Sequence, residues 1–234
     1  FSEEVSVSGT FKLFEGKSRY EYFTYQYAGM DANGNAQWFT DDADLATATV
    51  DGRAATTTFA DATKYWLGKE ALPDFTGGFN TTFQWKGIDL TIATAFQIGG
   101  YAYDSEYLSG MSNSFYVGHN KDMWNTYNPA TGEGTIPVWN ADNSSNSYTQ
   151  SSDAHLIKAS YFSIRNLTLG YSFPKAWMSK LGVAGIRIFV TGDNVALWSK
   201  RQGFDPRVSM SGGNGSFGGY SPMRVVSGGI NLTF

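Results

Sequence analysis

The chain reads as all-β, a set of long antiparallel transmembrane strands with elaborate loops at one end, and three observations lead there. Apolar and polar residues alternate with a period of two in several stretches, which gives a strand one greasy face and one wet face. Charged residues make up only 16% of 234 positions, against roughly 25% in ordinary globular chains. Rings and glycine are abundant instead, with 17 Phe, 14 Tyr, 7 Trp and 27 Gly. That composition suits either a membrane β-barrel or a carbohydrate-binding β-protein. The net charge of −4 comes without a basic patch, which argues against nucleic acid as a partner. With no cysteine there is neither a disulfide framework nor thiolate-bound metal. No run of about 18 apolar residues offers a transmembrane helix. The opening FSEEVSVSG has neither Met nor a leader, the start expected of a processed product or a fragment.

The clearest element is the hairpin in TGGFNTTFQWKGIDLTIATAFQIGG. Phe79, Thr81, Phe83 and Trp85 share one face of its first strand, and Asn80, Thr82 and Gln84 the other. Lys86-Gly87 is a minimal turn, because glycine takes a positive φ without steric cost. The phase resumes with Ile88, Leu90, Ile92, Phe96 and Ile98 against Asp89, Thr91, Ala93, Ala95 and Gln97. In the next pair Leu167, Leu169, Tyr171 and Phe173 alternate with Thr168, Gly170 and Ser172 until Pro174, which has no N–H to donate, ends the strand. PKAWMSKLGVAG is a short connector with room for one helical turn. Ile186, Ile188 and Val190 then alternate with Arg187, Phe189 and Thr191, and the phase breaks around Gly192-Asp193-Asn194, where either a bulge or the strand's exit from its packed zone is expected. A fifth strand runs from about Met223 to Phe234, with Val226, Ile230, Leu232 and Phe234 apolar and Ser227, Asn231 and Thr233 polar. A sixth is expected within GTFKLFEGKSRYEYFTYQYAG.

Residues 28–74, 100–158 and 199–221 lack sustained periodicity and read as long loops, which are usually functional where they occur. Short connectors at one end of the strands and long ones at the other are the asymmetry of outer-membrane barrels. Trp85, Tyr171, Phe173 and Phe234 lie beside the short connectors or the terminus, and a row of rings at one level suits a membrane interface. The alternative is a soluble β-sandwich in which the same rings are core.

Sites for chemistry are sparse. Asp31, Asn33, Gly34 and Asn35 have the look of a calcium loop, but Ala36 and Asp42 occupy positions where an EF-hand needs glycine and glutamate, so a polar turn is the better reading. His119 and His155 are far apart and read as loop histidines on a polar surface. No GxSxG surrounds any serine, and Glu70, Asp74, Asp104 and Glu106 have no fixed separation that would mark a glycosidase pair. No enzymatic activity, cofactor or metal is expected. Rings set among Asn, Asp and Ser in the loops, namely Tyr103, Tyr107, Tyr116, Trp124 and Trp139, are candidates for contact with a sugar or peptide substrate.

The stretches YFSIRNLTLGYSFPK, IRIFVTGDNVALWSKRQGFDPR and YSPMRVVSGGINLTF closely resemble the C-terminal end of the SusC/RagA family of TonB-dependent outer-membrane transporters of Bacteroidetes. GKSRYEYFTYQYAGMDANGN, LPDFTGGFNTTFQWKGIDLTI and FQIGGYAYDSEYLSGM resemble the preceding segments in the same order, and GHNKDMWNTYNPATGEGTIPVW does so more loosely. The resemblance implies that residues 1–234 are the C-terminal part of a barrel of about 22 strands, whose plug and earlier strands lie outside this chain. It implies import of oligosaccharides or peptides across the outer membrane. The partners it implies are the rest of the barrel and plug, a SusD-like surface lipoprotein, the TonB–ExbB–ExbD complex and outer-membrane lipid. The C-terminus would be periplasmic and the long loops extracellular. Ile230, Leu232 and Phe234 would form the C-terminal assembly signal read by the insertion machinery. The rival function is that of a secreted carbohydrate-binding β-sandwich with aromatic loops.

Overall fold

A computed structural model describes residues 5–112, 118–139, 141–178, 182–200, 204–207 and 222–234. In chain order the strands are β1 (Val5–Ser8), β2 (Phe11–Leu13), β3 (Glu21–Tyr25), β4 (Tyr27–Met30), β5 (Ala36–Phe39), β6 (Ala48–Val50), β7 (Arg53–Thr56), β8 (Lys64–Glu70), β9 (Phe75–Gly77), β10 (Asn80–Trp85), β11 (Ile88–Ile98), β12 (Tyr101–Tyr103), β13 (Leu156–Lys158), β14 (Tyr161–Ser172), β15 (Gly185–Ser199) and β16 (Val225–Thr233). Two short helices, α1 (Ser105–Gly110) and α2 (Lys175–Met178), complete the regular elements with a few 3-10 turns. The all-β class expected from alternation is what forms. The chain divides into two compact units, one drawing on Phe1–Leu72 and Tyr101–Ile157, the other on Pro73–Gly100, Lys158–Val208 and Gly219–Phe234.

The first unit corrects the sequence reading. Residues 28–74 are not an irregular loop: they hold β5, β6, β7, β8 and most of β4, and a sheet of order β4-β5-β7-β6 lies within them. A second sheet has the order β1-β2-β3-β8, so the stretch expected to give one sixth strand gives β2 and β3. These strands are only three to seven residues long, too short for periodicity to stand out from noise. The Asp51-Gly52 turn joining β6 to β7 has φ of 50° and 77° at its two residues, the double left-handed turn that matches strand twist. The unit's core is aromatic. Phe11 and Tyr22 pack with ring centroids 4.7 Å apart and are joined by Ala71, and the Tyr22 hydroxyl donates to the Tyr101 carbonyl at 3.2 Å. Trp38 is fully buried with its ring edge-on to Phe59 at 5.1 Å.

The second unit is a sheet of order β10-β11-β14-β15-β16, with β9 also paired to β11. All five strands read from the sequence are present, each antiparallel to its neighbour. Lys86 and Gly87 both take positive φ, 47° and 85°, which closes the hairpin in two residues. The connector after Pro174 carries the single turn α2. The expected phase break in β15 is a bulge: register shifts between Ile164 and Asn166 on β14 opposite Ala196 and Asp193, and Asn194 has φ of 51°.

Candidate functional site

Register across the second unit's sheet sorts its side chains into two faces. One face carries the rows Trp85–Ile88–Tyr171–Ile188–Ile230, Phe83–Leu90–Leu169–Val190–Gly228 and Thr81–Ile92–Leu167–Gly192–Val226. The other carries Gln84–Asp89–Gly170–Phe189–Gly229, Thr82–Thr91–Thr168–Thr191–Ser227 and Asn80–Ala93–Asn166–Asp193–Val225. The apolar face is open: Phe83 is 61% exposed, Leu169 54%, Val190 55% and Ile230 67%. In a water-soluble sandwich the apolar face is the covered one, so this sheet is built for a different neighbour.

The polar face is knitted by its own side chains. Thr82 and Thr91 hydroxyls meet at 3.0 Å. Asn166 donates to Thr191 at 3.0 Å and to Asp193 at 2.8 Å, while Thr168 donates to Asn166 at 3.0 Å and pairs with Thr191 at 2.6 Å. Arg187 clasps Asp89 with Nε at 3.1 Å and Nη2 at 2.5 Å, a bidentate fork that fixes geometry as well as charge. Its guanidinium also lies 5.2 Å from the Phe189 ring. Two glycines make this possible. A Cβ on Gly170 would run into the Asp89–Arg187 pair, and one on Gly229 would meet the Phe189 ring. Thr94 sits on the apolar face at the break between β9 and β10, and its hydroxyl both accepts from Phe79 N–H (3.2 Å) and donates to the Phe79 carbonyl (3.0 Å). The Thr94 N–H donates to the same carbonyl at 2.9 Å, so the hydroxyl replaces only the missing acceptor of Phe79 N–H.

Rings mark two levels of the apolar face. At the tight-turn end Tyr171 and Phe173 meet edge-on at 5.0 Å, and Trp177, which the sequence reading missed, joins Phe173 at 6.3 Å. Trp85 is 67% exposed, and the Lys86 ammonium stands 4.8 Å over its ring. At the far end Phe75–Phe96 (5.8 Å), Phe79–Phe162 (6.5 Å) and Phe162–Trp198 (5.8 Å) form a second group. The levels correspond to the pairs Ile88–Tyr171 and Phe96–Phe162. Eight residues of β11 separate them, about 27 Å along the strand, or about 20 Å along a membrane normal at a barrel's usual tilt. Phe79 and Phe96 were expected on this face; Phe162 was not legible, because Arg165 is unpaired at the bulge and Phe162 has the opposite parity from Leu167 yet lies on the same face. Ile230 and Leu232 lie on the apolar side of the edge strand β16 and Phe234 follows its last residue, Leu232 53% and Phe234 89% exposed.

The loop candidates lie in the first unit and differ in their surroundings. Tyr103 is buried, 6.0 Å edge-on from His155. Tyr107 is half-buried in α1, its N–H donating to the capping Asp104 carboxylate at 3.0 Å. Trp124 stands 91% exposed on a 3-10 turn, and half-buried Trp139 donates its indole N–H to the Ser112 carbonyl at 3.2 Å. Tyr116 lies outside the described residues. The turn at Asp31 is the polar turn expected: its carboxylate accepts from Asn33 and Asn35 backbone N–H at 2.9 and 2.7 Å and from the Asn35 amide at 2.9 Å. His155, expected on a polar surface, is instead 2% exposed, its Nε2 2.8 Å from the Tyr148 carbonyl. Burial holds its imidazole below the ordinary value of 6.5, opposed by that carbonyl and by the charges of Asp104 and Asp153. Loop position in sequence carried no signal that β12 and β13 would close over it.

No protein-family model matches the chain. Among curated proteins, TonB-dependent receptor P3 of Formosa agariphila is 25% identical over 241 residues, covering 95% of this chain and 23% of that protein. TonB-dependent receptor SusC of Bacteroides thetaiotaomicron is 28% identical over 145 residues, covering 61% of this chain and 14% of that protein. The chain thus spans about a quarter or less of these relatives. Among solved structures, the RagAB peptide transporter aligns with a TM-score of 0.70 at 21% identity over 99% of this chain and 28% of that one. The RagAB peptide importer in its open-open state aligns with a TM-score of 0.75 at 20% identity over 98% of this chain and 24% of that one. In sequence the chain is thus similar to TonB-dependent receptors, SusC among them, and in fold to the RagAB peptide transporter.

Proposed function

We propose that the chain is the C-terminal part of the β-barrel of a TonB-dependent outer-membrane transporter that imports oligosaccharides or peptides. One observation carries this reading: a six-stranded sheet with an open apolar face and a hydrogen-bonded polar face, β11, β14 and β15 being 11, 12 and 15 residues long. A transmembrane strand needs about 9–11 residues. The apolar face meets lipid and the polar face the lumen, with Trp85, Tyr171 and Phe173 at one interface. The outer edge of β16 pairs with a strand outside these 234 residues, since an unpaired backbone group in hydrocarbon costs several kcal/mol. Ile230, Leu232 and Phe234 act as the assembly signal. The C-terminus faces the periplasm, the long connections face outward, and among the loop rings Trp124 and Trp139 are the best placed to meet substrate.

In this reading the polypeptide works with the remaining strands and plug of about 22-stranded architecture, a SusD-like lipoprotein and TonB–ExbB–ExbD. The test is isolation of the intact protein from its native membrane. It should stay with the outer membrane, need detergent, and copurify with a surface lipoprotein. A monomer that is soluble without detergent would refute it.

A further inference from the structure

Residues 118–139 of the first unit form a shallow hollow of about 420 Å3, lined by His119, Asn120, Lys121, Met123, Trp124 and Trp139. The hollow rests on a braced segment. The Tyr127 ring fills the space a Cβ would need at Gly34, its hydroxyl donates to the Ala32 carbonyl at 2.9 Å, and Val138 N–H donates to the Gly34 carbonyl at 2.8 Å. The 3-10 turn Lys121–Asn125 is capped by the Asn120 carboxamide oxygen, which accepts from Asp122 N–H at 3.0 Å. On this rigid support Trp124 holds its indole 91% exposed to water, which nothing in its own packing requires. The His119 imidazole lies edge-on to the Trp139 ring at 6.2 Å.

The lining chemistry selects a ligand. The exposed Trp124 indole offers an electron-rich face to the C–H groups of a pyranose. Lys121 belongs to the lining, which holds no carboxylate. The acidic neighbour Asp122 is near the Tyr148 phenol, whose titration it raises after burial. An extended peptide fits less well. The segment's backbone is already paired, Met123 N–H to Asn120, Thr126 N–H to Met123 and Tyr127 N–H to Ile136, so it offers no strand edge to lengthen. We propose that this hollow binds a sugar ring bearing a carboxylate or sulfate, with Trp124 as the stacking platform and Lys121 as the counter-charge. The inference rests on the import reading above and names the chemistry of its substrate.

The test is saturation-transfer NMR on the detergent-solubilised intact transporter, with D-glucuronate, D-glucose and triglutamate as probes. Glucuronate should bind best. Trp124→Ala should weaken it about tenfold or more with unfolding unchanged, since the indole is in water. Lys121→Gln should erase the preference for glucuronate over glucose. Equal binding of glucose and glucuronate to the wild type, triglutamate binding as well as glucuronate, an unaltered Trp124→Ala, or no binding of any probe would each overturn the proposal. Membrane extraction of the same samples reports the transporter reading separately, so failure of sugar binding in an intact membrane barrel sinks only the hollow's assignment.

Discussion

Placing an arginine along β14 tests the lipid-facing side by depth. Leu167 lies four residues from Tyr171, at one ring level, about 13 Å along the strand and about 10 Å along the normal of a barrel tilted 35–45°. That is near the middle of an apolar band about 25 Å tall. Leu167→Arg should destabilise the assembled barrel by about 2–4 kcal/mol, a shift of about 30- to 700-fold in the folding equilibrium. Leu169→Arg, about halfway to the rings, should cost about 1–2 kcal/mol, and Tyr171→Arg at the interface about 0–1 kcal/mol. Ser227→Arg, exposed on the polar face of β16, should stay within about 0.5 kcal/mol. The assay is denaturant titration of the intact barrel in phospholipid vesicles. A flat profile along β14, or a larger cost at Ser227 than at Leu167, would refute the assignment of faces.

Three further outcomes follow from particular contacts. Arg187→Met should destabilise modestly, since the pair is partly exposed at 31% and 16% and solvent screens it, and a double-mutant cycle with Asp89→Asn should show positive coupling; purely additive losses would contradict the clasp. Gly170→Ala should destabilise by about 1–3 kcal/mol because its methyl displaces the same pair, and Asp89→Ala in the same protein should relieve most of that loss in thermal melts. Since folding lowers the pKa of His155, its contribution is intact above the unfolded value of 6.5 and falls as pH drops from there toward the folded pKa. Protection factors for amide exchange in residues 148–158, which remove the intrinsic slowing of exchange in acid, should fall as pH drops below about 6.5, and His155→Gln should remove that extra sensitivity; an identical pH response in the variant would count against it.

What the sequence made legible, and what it hid, follows strand length. β11 repeats the period-two signal five times, β14 and β15 three times each on the turn side of their bulge, and Lys86-Gly87 announces its turn by residue type, so that end of the unit was readable position by position. β5, β6 and β7 offer three or four residues each, and their burial comes from long-range closure such as Trp38 on Phe59, which no local pattern records. Phe162 in the far ring group failed for a different reason: one unpaired residue, Arg165, inverts parity within β14, and a reader who counts by twos puts Phe162 on the wrong side. Of the loop rings, type alone picked out Trp124 and Trp139, but could not tell the exposed Trp124 from the buried Tyr103.

The most direct measurement of the central claim uses cysteines introduced into a stretch that has none of its own. Single cysteines placed one at a time at positions 225 to 233 of β16 in the intact protein can be probed with a lipid-soluble and a water-soluble quencher. The account predicts that positions 226, 228, 230 and 232 respond to the lipid-soluble quencher and the alternate positions to the aqueous one. A profile without this alternation, or apolar positions shielded from both quenchers, would contradict it.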